Sequence, residues 1–252
     1  LYPVVPYVNM SNADLTNKDL SNADLYGANL NGATLIGTKL TNASLRFADL
    51  VNADLSGADL SGANLEYTDL IGVKSGNITG TPFKMQKFEQ YNGASEEYAL
   101  RNGYIIGQGV NLTGANLSGA DISNLDLKFA DLSGADLSGA NISGSILSGL
   151  VLSDIDLTNA DLTNASLSGA DLSGADLSGA DLSGAGLDGV NLTNANFTNA
   201  TLTGVKSGSI TPADGSGVTL PAEYIIGNGN IIGPGVNLCL LYTSDAADEL
   251  RS

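Results

Sequence analysis

The chain has 252 residues, 27 acidic and 10 basic, giving a formal charge of −17, and it contains no histidine and no tryptophan. That balance excludes free nucleic acid as a partner, because phosphate binding needs clustered Lys and Arg. No apolar run approaches the ~20 residues of a membrane span, and without histidine the Ser-His and Cys-His nucleophile pairs cannot be assembled.

Residues 1–9 read as a lead-in. They start at Leu1 with no signal-peptide pattern, so the chain is expected to be part of a longer protein, and its compartment (secreted, surface or cytoplasmic) is left open. Residues 10–75 form a first repeat block, with leucine at every fifth position from Leu15 to Leu70, twelve times. Neither common element buries such a set. Five residues of α-helix advance about 500°, which smears the leucines around the axis. On a flat strand an odd period sends alternate leucines to opposite faces. The backbone that works makes each pentapeptide one short side of a coil, with a corner between sides. Every leucine then points at the axis and successive coils stack through backbone hydrogen bonds. Two residues before each leucine stands a small residue, alanine at nine of the twelve positions. Residues two apart on an extended segment share a face, so both point inward and the Asp or Asn between them points out.

Residues 76–109 are a spacer. It holds a polar run at 84–98, read as a loop or short helix, and Asn102-Gly103 between apolar runs, which predicts a β-hairpin over 98–107. The second block, 110–207, has nineteen pentapeptides centred from Leu112 to Leu202, with Ile122, Ile142 and Phe197 replacing leucine. Residues 208–235 are a second spacer that echoes the first. TGVKSGSITP at 203–212 repeats IGVKSGNITGTP at 71–82, and NGNIIGPGVNL at 228–238 repeats NGYIIGQGVNL at 102–112, so a second hairpin is expected at 224–233. In each spacer a serine, Ser75 or Ser207, stands where the inward leucine is due, while Val73, Ile78, Val205 and Ile210 keep the small-position phase. One or two distorted sides are expected to continue before the chain leaves the coil and the spacer breaks the rod. Residues 236–238 look like the first step of a third block. Residues 239–252 depart abruptly from the pattern, resemble the translated end of a transposon-derived sequencing adapter, and are set aside. With them goes the one cysteine, Cys239, and with it any thiol chemistry.

Corner chemistry agrees with the coil. The two residues after each leucine are commonly Ser-Gly, Thr-Asn or Ser-Asn. A type II turn over Leu-Ser-Gly-Ala needs φ > 0 at its third residue, where Gly is easiest and Asn is tolerated. Phe47, Tyr67, Phe129 and Asp154 break that rule, and a different, right-handed corner is expected at these four. With units of the form Ala-Asp/Asn-Leu-Ser/Thr-Gly/Asn repeated thirty-one times, the chain resembles the pentapeptide-repeat proteins over roughly residues 10–75 and 110–207. The resemblance implies an all-β fold. It would be a right-handed quadrilateral parallel β-helix, a solenoid with four pentapeptides per coil, here in two blocks separated by a hairpin-containing spacer. Leu15, Leu35 and Leu55, and Leu137, Leu157 and Leu177, would then form core ladders.

On that fold residues twenty apart lie above one another, so Asn116, Asp136, Asp156, Asp176 and Asn196 form one outward ladder. Its carboxylates, Asp136, Asp156 and Asp176, are the candidate acidic surface. Carboxylates ~5 Å apart repel by about 0.9 kcal/mol even in water, and a divalent cation could bridge them. However, Asn alternates freely with Asp, and such side chains can splay out or bond nearby backbone, so no metal site is assigned. Lys39, between Asp19 and Asp59 on another ladder, relieves charge locally. Lys18 takes an inward alanine position and is expected to snorkel out through the open end of the first block. No catalytic residue and no cofactor are assigned.

The function expected is a non-enzymatic scaffold: a rigid acidic β-helical rod within a longer repeat array, with a protein of unknown identity as partner. The alternative comes from the resemblance, since some pentapeptide-repeat proteins are acidic dimers that occupy the DNA site of a type II topoisomerase. Against it, the aspartates here are spread over most sides and no dimerising C-terminal helix is visible. A further alternative is a non-catalytic part of a larger enzyme. Oligomeric state is not legible in the sequence.

Overall fold

The pentapeptide 170–174 satisfies all five of its backbone N–H groups, and that accounting shows how the fold is built. In residues 170–174, Ala170 closes its corner onto the Leu167 carbonyl at 2.9 Å, and Asp171 donates to Leu150 in the preceding coil at 2.9 Å. Leu172 and Gly174 donate to Asn191 and Thr193 in the following coil, at 2.8 Å each. The remaining donor, Ser173, is caught by the Asp171 side chain, with N to Oδ1 at 3.0 Å.

The computed structural model describes residues 7–82, 85 and 98–236. Parallel bridges join positions twenty residues apart, as in Asn9–Asn29–Asp49–Asp69 and Asp161–Asp181–Thr201. Four pentapeptides therefore close one turn, and the fold is an all-β, right-handed quadrilateral β-helix. The chain divides into two compact units, residues 1–136 and 137–252, a division that falls inside the long repeat run and not at a spacer. Residues 1–6 of the lead-in, residues 83, 84 and 86–97 of the first spacer, residues 237–238 and the tail 239–252 lie outside the described residues.

In the first unit Leu35 and Leu55 are fully buried, while Leu15, in the coil nearest the start of the chain, is half-buried. Lys18 is exposed. Thr38, one coil on from it, is buried in an alanine position and gives its hydroxyl to the Leu15 carbonyl at 2.7 Å. Thr68 does the same to Leu45 at 2.8 Å. In the second unit Leu137, Leu157 and Leu177 are fully buried. Each such leucine contributes ~1.5–3 kcal/mol by leaving water.

The first spacer does not break the stack, which corrects the expectation of an interruption. Asp54, Lys74, Asn111 and Asp131 pair in one unbroken column, and the Gly72 N–H reaches the Gly109 carbonyl at 2.7 Å. The insertion begins and ends beside the same corner, so the hydrogen-bond register on either side of it is kept. What it carries is a hairpin, β1 (Ala99–Arg101) against β2 (Tyr104–Ile106), antiparallel with Ala99 opposite Ile106. Asn102 and Gly103 form its turn with φ of 49° and 78°, the type I′ geometry that matches strand twist. The second unit repeats the device with β3 (Ile225–Gly227) and β4 (Asn230–Ile232) around Asn228 and Gly229, φ 49° and 71°.

One hydroxyl fastens each hairpin to the coil. Ser75 Oγ accepts the Ile105 N–H at 3.0 Å, and Ser207 Oγ accepts the Ile231 N–H at 3.0 Å. Both isoleucines are fully buried. A ring holds the far end: the Tyr98 hydroxyl donates to Gln108 at 3.2 Å and the Tyr224 hydroxyl to Pro234 at 3.1 Å.

All the repeat corners share one conformation, including those expected to differ. Phe47, Tyr67, Phe129 and Asp154 have φ of 60°, 61°, 62° and 57°, left-handed like the Gly and Asn corners. The right-handed corner is thus corrected, and the reason lies in the neighbouring coils. The corner N–H groups of Phe47 and Asp154 are bound to the carbonyls of Glu66 (3.2 Å) and Ser173 (2.8 Å). A different corner would orphan that donor and shift every later side. A non-glycine residue in this region costs roughly 1–2 kcal/mol, less than the shift.

This strain yields a prediction of opposite signs. Phe129 is 81% exposed and has no ring contact among the described residues, so Phe129→Gly is expected to stabilise by up to ~1 kcal/mol as the strain is released. Phe47 stacks on Tyr67 with centroids 5.0 Å apart and meets Tyr26 at 5.3 Å. Phe47→Gly is therefore expected to destabilise by roughly 1–3 kcal/mol. Urea midpoints moving in the same direction for both would contradict this account.

Candidate functional site

The outward surface is built by the two residues that flank each leucine. The Asp or Asn before it does not splay freely, because its Oδ1 accepts the N–H two residues on. Examples are Asp49 to Val51 (3.0 Å), Asp156 to Thr158 (2.9 Å) and Asn196 to Thr198 (3.1 Å). Where that second residue is Ser or Thr, its hydroxyl often bonds the same oxygen, as from Ser61 to Asp59 and from Ser133 to Asp131, both at 2.6 Å. One oxygen of the side chain is thus committed to the frame, and Asp and Asn serve this role alike.

Within the first unit Asp136 pairs with Asn116, and within the second Asp156, Asp176 and Asn196 pair in succession. Asn196 turns its amide onto Asp176 Oδ1 at 3.1 Å, and Asn191 does the same to Asp171 at 2.9 Å. Among the described residues, no group of three or more acidic side chains is gathered as for a metal ion. In the second unit carboxylates stand on three of the four sides, at Asp161 and Asp181, at Asp171, and at Asp156 and Asp176. The fourth side runs Ile146, Ser166, Gly186, Lys206 and carries none at the position before the leucine, although Asp188 follows Leu187 there. Lys39 pairs between Asp19 and Asp59 through the backbone bridges and lowers both carboxyls only as a lesser contributor.

The locks leave an electrostatic mark. Asp59, Asp121, Asp131 and Asp176 all titrate below the ordinary carboxylate range. The first cause is the hydroxyl of Ser61, Ser123, Ser133 or Ser178, and the second is the N–H of the same residue. A depressed folded-state value means that the stabilisation is present above the ordinary value of 3.8 and is lost as pH falls through the depressed range. Neutralising a chain of charge −17 acts in the opposite sense by relieving repulsion, but salt screens that contribution. Thermal melts in about 0.5 M salt, where screening is nearly complete, are therefore expected to stay flat from neutral pH to near 4 and drop below it. A melting temperature that rises on acidification would contradict the locks.

An aromatic column on the first unit was missed in the sequence. Tyr7 meets Tyr26 edge-on at 5.6 Å, Tyr26 meets Phe47, and Phe47 stacks on Tyr67. The Arg46 guanidinium lies 5.0 Å from the Phe47 centroid and 5.3 Å from that of Tyr67. Its Nε sits 3.3 Å from Glu66 Oε2, an ion-pair contact without hydrogen-bond alignment. The signal was available, since Tyr7, Phe47 and Tyr67 fall on one twenty-residue spacing.

This geometry defines a four-sided β-helical repeat protein whose polar surface is largely committed to its own corners. The pentapeptide repeats family, in eight copies, matches residues 7–42, 38–74, 110–149, 135–174, 151–187 and 175–206, and the chain belongs to that family. No match is found among curated proteins. Among solved structures it is similar to HetL, a pentapeptide repeat protein involved in heterocyst differentiation regulation in the cyanobacterium Nostoc. Identity is 27%, with 88% of this chain and 93% of that one covered and a TM-score of 0.45. A pentapeptide repeat protein of the Arabidopsis thaliana thylakoid lumen is 33% identical over 41% of this chain and 69% of that one, with a TM-score of 0.32. QnrB1, a plasmid-mediated fluoroquinolone resistance protein, is 18% identical over 92% and 90%, with a TM-score of 0.35.

Proposed function

We propose that the chain is a non-enzymatic scaffold for protein interaction, an acidic β-helical segment of a longer repeat array. The observation that carries this reading is the double use of the outward carboxylates. Asp156, Asp171 and Asp176 each commit Oδ1 to their own corner, which holds the side chain in one orientation, and offer the remaining oxygen and the charge to a partner. Held in place by the frame, these acceptors lose little freedom when a partner docks, which favours binding. Spreading over three sides of the second unit suits contacts with protein better than imitation of a phosphate stripe.

Charge neutralisation at constant frame tests the proposal. Replacing Asp156, Asp161, Asp176 and Asp181 by asparagine keeps the Oδ1 acceptor and removes the charges. The immobilised natural chain is expected to retain protein from an extract of its source in a salt-dependent way, and the fourfold variant to lose it with an unchanged melting temperature. Equal retention by the two overturns the reading. A gyrase supercoiling titration separates it from topoisomerase mimicry, and inhibition at micromolar concentration would replace the scaffold with the mimic.

A further inference from the structure

The two spacers are copies of one device, and they differ at one place where the difference opens a cleft. Gly76 and Gly208 are equivalent: each accepts, at 2.7 Å, the N–H of the corner residue one coil below, Gly57 or Gly189. Ile78 and Ile210 likewise donate to their hairpin turns, to Gly103 at 3.0 Å and Gly229 at 2.9 Å. In the first device the Tyr104 ring lies on Gly76, with a ring carbon 3.1 Å from where a Cβ would stand, and the Tyr104 hydroxyl accepts the Asn116 N–H at 3.3 Å. The glycine is needed there to admit the ring. In the second device asparagine, Asn230, replaces the tyrosine. Gly208 nevertheless remains glycine, although its φ is not in the left-handed region and its backbone makes no such demand.

The space left is an open cleft of about 590 Å³ lined by Asp188, Gly189, Gly208, Ser209, Asn228 and Asn230, all in the second unit. Two oxygens converge on it. The position a Gly208 Cβ would take lies 3.2 Å from Asp188 Oδ1 and 3.8 Å from Asn230 Oδ1. The Asn230 amide nitrogen is turned away, donating to the Asn228 carbonyl at 3.0 Å, which fixes the oxygen as the group presented. Asp188 is unlike most carboxylates of the repeats. Like Glu66, it follows its leucine instead of preceding it; it stands where the first device has Ser56, and it locks no corner. Among the described residues nothing bonds its carboxylate.

We propose that this cleft binds a primary ammonium group, from a free amine or from a lysine side chain. The lining carries one charge, a negative one, and presents acceptors at its floor. An ammonium brings three donors to satisfy Asp188 Oδ1, Asn230 Oδ1 and a third acceptor such as the Ser209 hydroxyl. A divalent cation is a poorer match, since one carboxylate leaves it far short of its oxygen shell. The inference does not depend on the scaffold role, because the cleft recognises a chemical group whatever carries it.

Titrations followed by amide proton–nitrogen spectra test it, with n-butylammonium, Nα-acetyl-lysine methylamide and the Nα,Nε-diacetylated compound as probes. Both charged probes are expected to shift Gly189, Gly208 and Ser209 saturably, with dissociation constants on the order of millimolar, and the diacetylated probe to do nothing. Asp188→Asn weakens binding about fivefold, the size of one exposed charge pair. Gly208→Ala and Asn230→Tyr abolish it while the signals of residues 170–182 stay in place, so loss of binding is distinct from loss of fold. Ser56→Asp with Tyr104→Asn is expected to create a second site whose shifts centre on Gly76 and Asn77. A lysine derivative that binds tenfold better than butylammonium assigns the site to a protein's side chain, and equal affinities assign it to a free amine. Shifts that survive Gly208→Ala, shifts spread along the Asp171 and Asp176 columns, or a response to calcium chloride without one to the amines overturn the proposal.

Discussion

Leu157→Asp is expected to abolish the cooperative fold of the second unit, whereas Asp156→Asn, one residue away, leaves its melting temperature nearly unchanged. Leu157 is fully buried in a column with Leu137 and Leu177, and its N–H is bound to the Asp176 carbonyl at 2.8 Å. Replacing it forfeits ~1.5–3 kcal/mol of apolar burial. It also confronts a carboxylate with an interior that offers no partner, a further loss of several kcal/mol. The sum rivals the ~5–15 kcal/mol that holds a whole domain. In a repeat stack each coil is supported by its neighbours, so a coil that cannot close also withdraws support from the next. Asp156 faces outward and uses Oδ1 to accept the Thr158 N–H at 2.9 Å and the Thr158 hydroxyl at 2.7 Å. Asparagine supplies the same oxygen and removes repulsion with Asp176, so the change stays within about 0.5 kcal/mol. Melting of the two variants by circular dichroism checks the contrast, and comparable shifts would refute the inward assignment of residue 157.

Why the coil was legible and the corners were not follows from where the information lies. A leucine every five residues admits few backbones, and the Ala-x-Leu phase tells inside from outside for each side alone. The corners at Phe47, Tyr67, Phe129 and Asp154 were misread from local preference, in which bulky residues avoid positive φ. At Phe47 and Asp154 the conformation is tied to the carbonyls of Glu66 and Ser173 in the next coil, a non-local demand that residue type does not display. The spacer was misread for a related reason: the loss of leucine at Ser75 looked like a distorted side ahead of an exit from the coil, yet the serine is where the hairpin attaches. The cleft escaped notice because its two oxygens come from Asp188 and Asn230, on different coils of the device. Aligning the two spacers residue by residue, Ser56 with Asp188 and Tyr104 with Asn230, is the reading that would have found it.

Ser207→Leu restores the repeat consensus and is expected to destabilise the second unit more than Ser207→Ala does. By the logic of the leucine column alone the sign would be reversed, since a leucine would complete the inward series. But Ser207 is buried, its hydroxyl receives the Ile231 N–H, and the fully buried Ile231 takes up the volume next to it. Alanine removes the acceptor and leaves a buried N–H unpaired, a loss of about 1–3 kcal/mol. Leucine does that and also drives a larger side chain into space already filled, adding roughly 1–3 kcal/mol of overpacking. The hairpin β3–β4 should then detach. Hydrogen exchange at Ile231 is expected to accelerate in both variants, with the larger fall in melting temperature in Ser207→Leu. Ser75→Leu should act alike on Ile105, because the same hydroxyl contact recurs at 3.0 Å. If leucine at either position raises stability, the serine is a lapse in the repeat and not the hairpin's anchor, and the equivalence of the two spacers loses its physical basis.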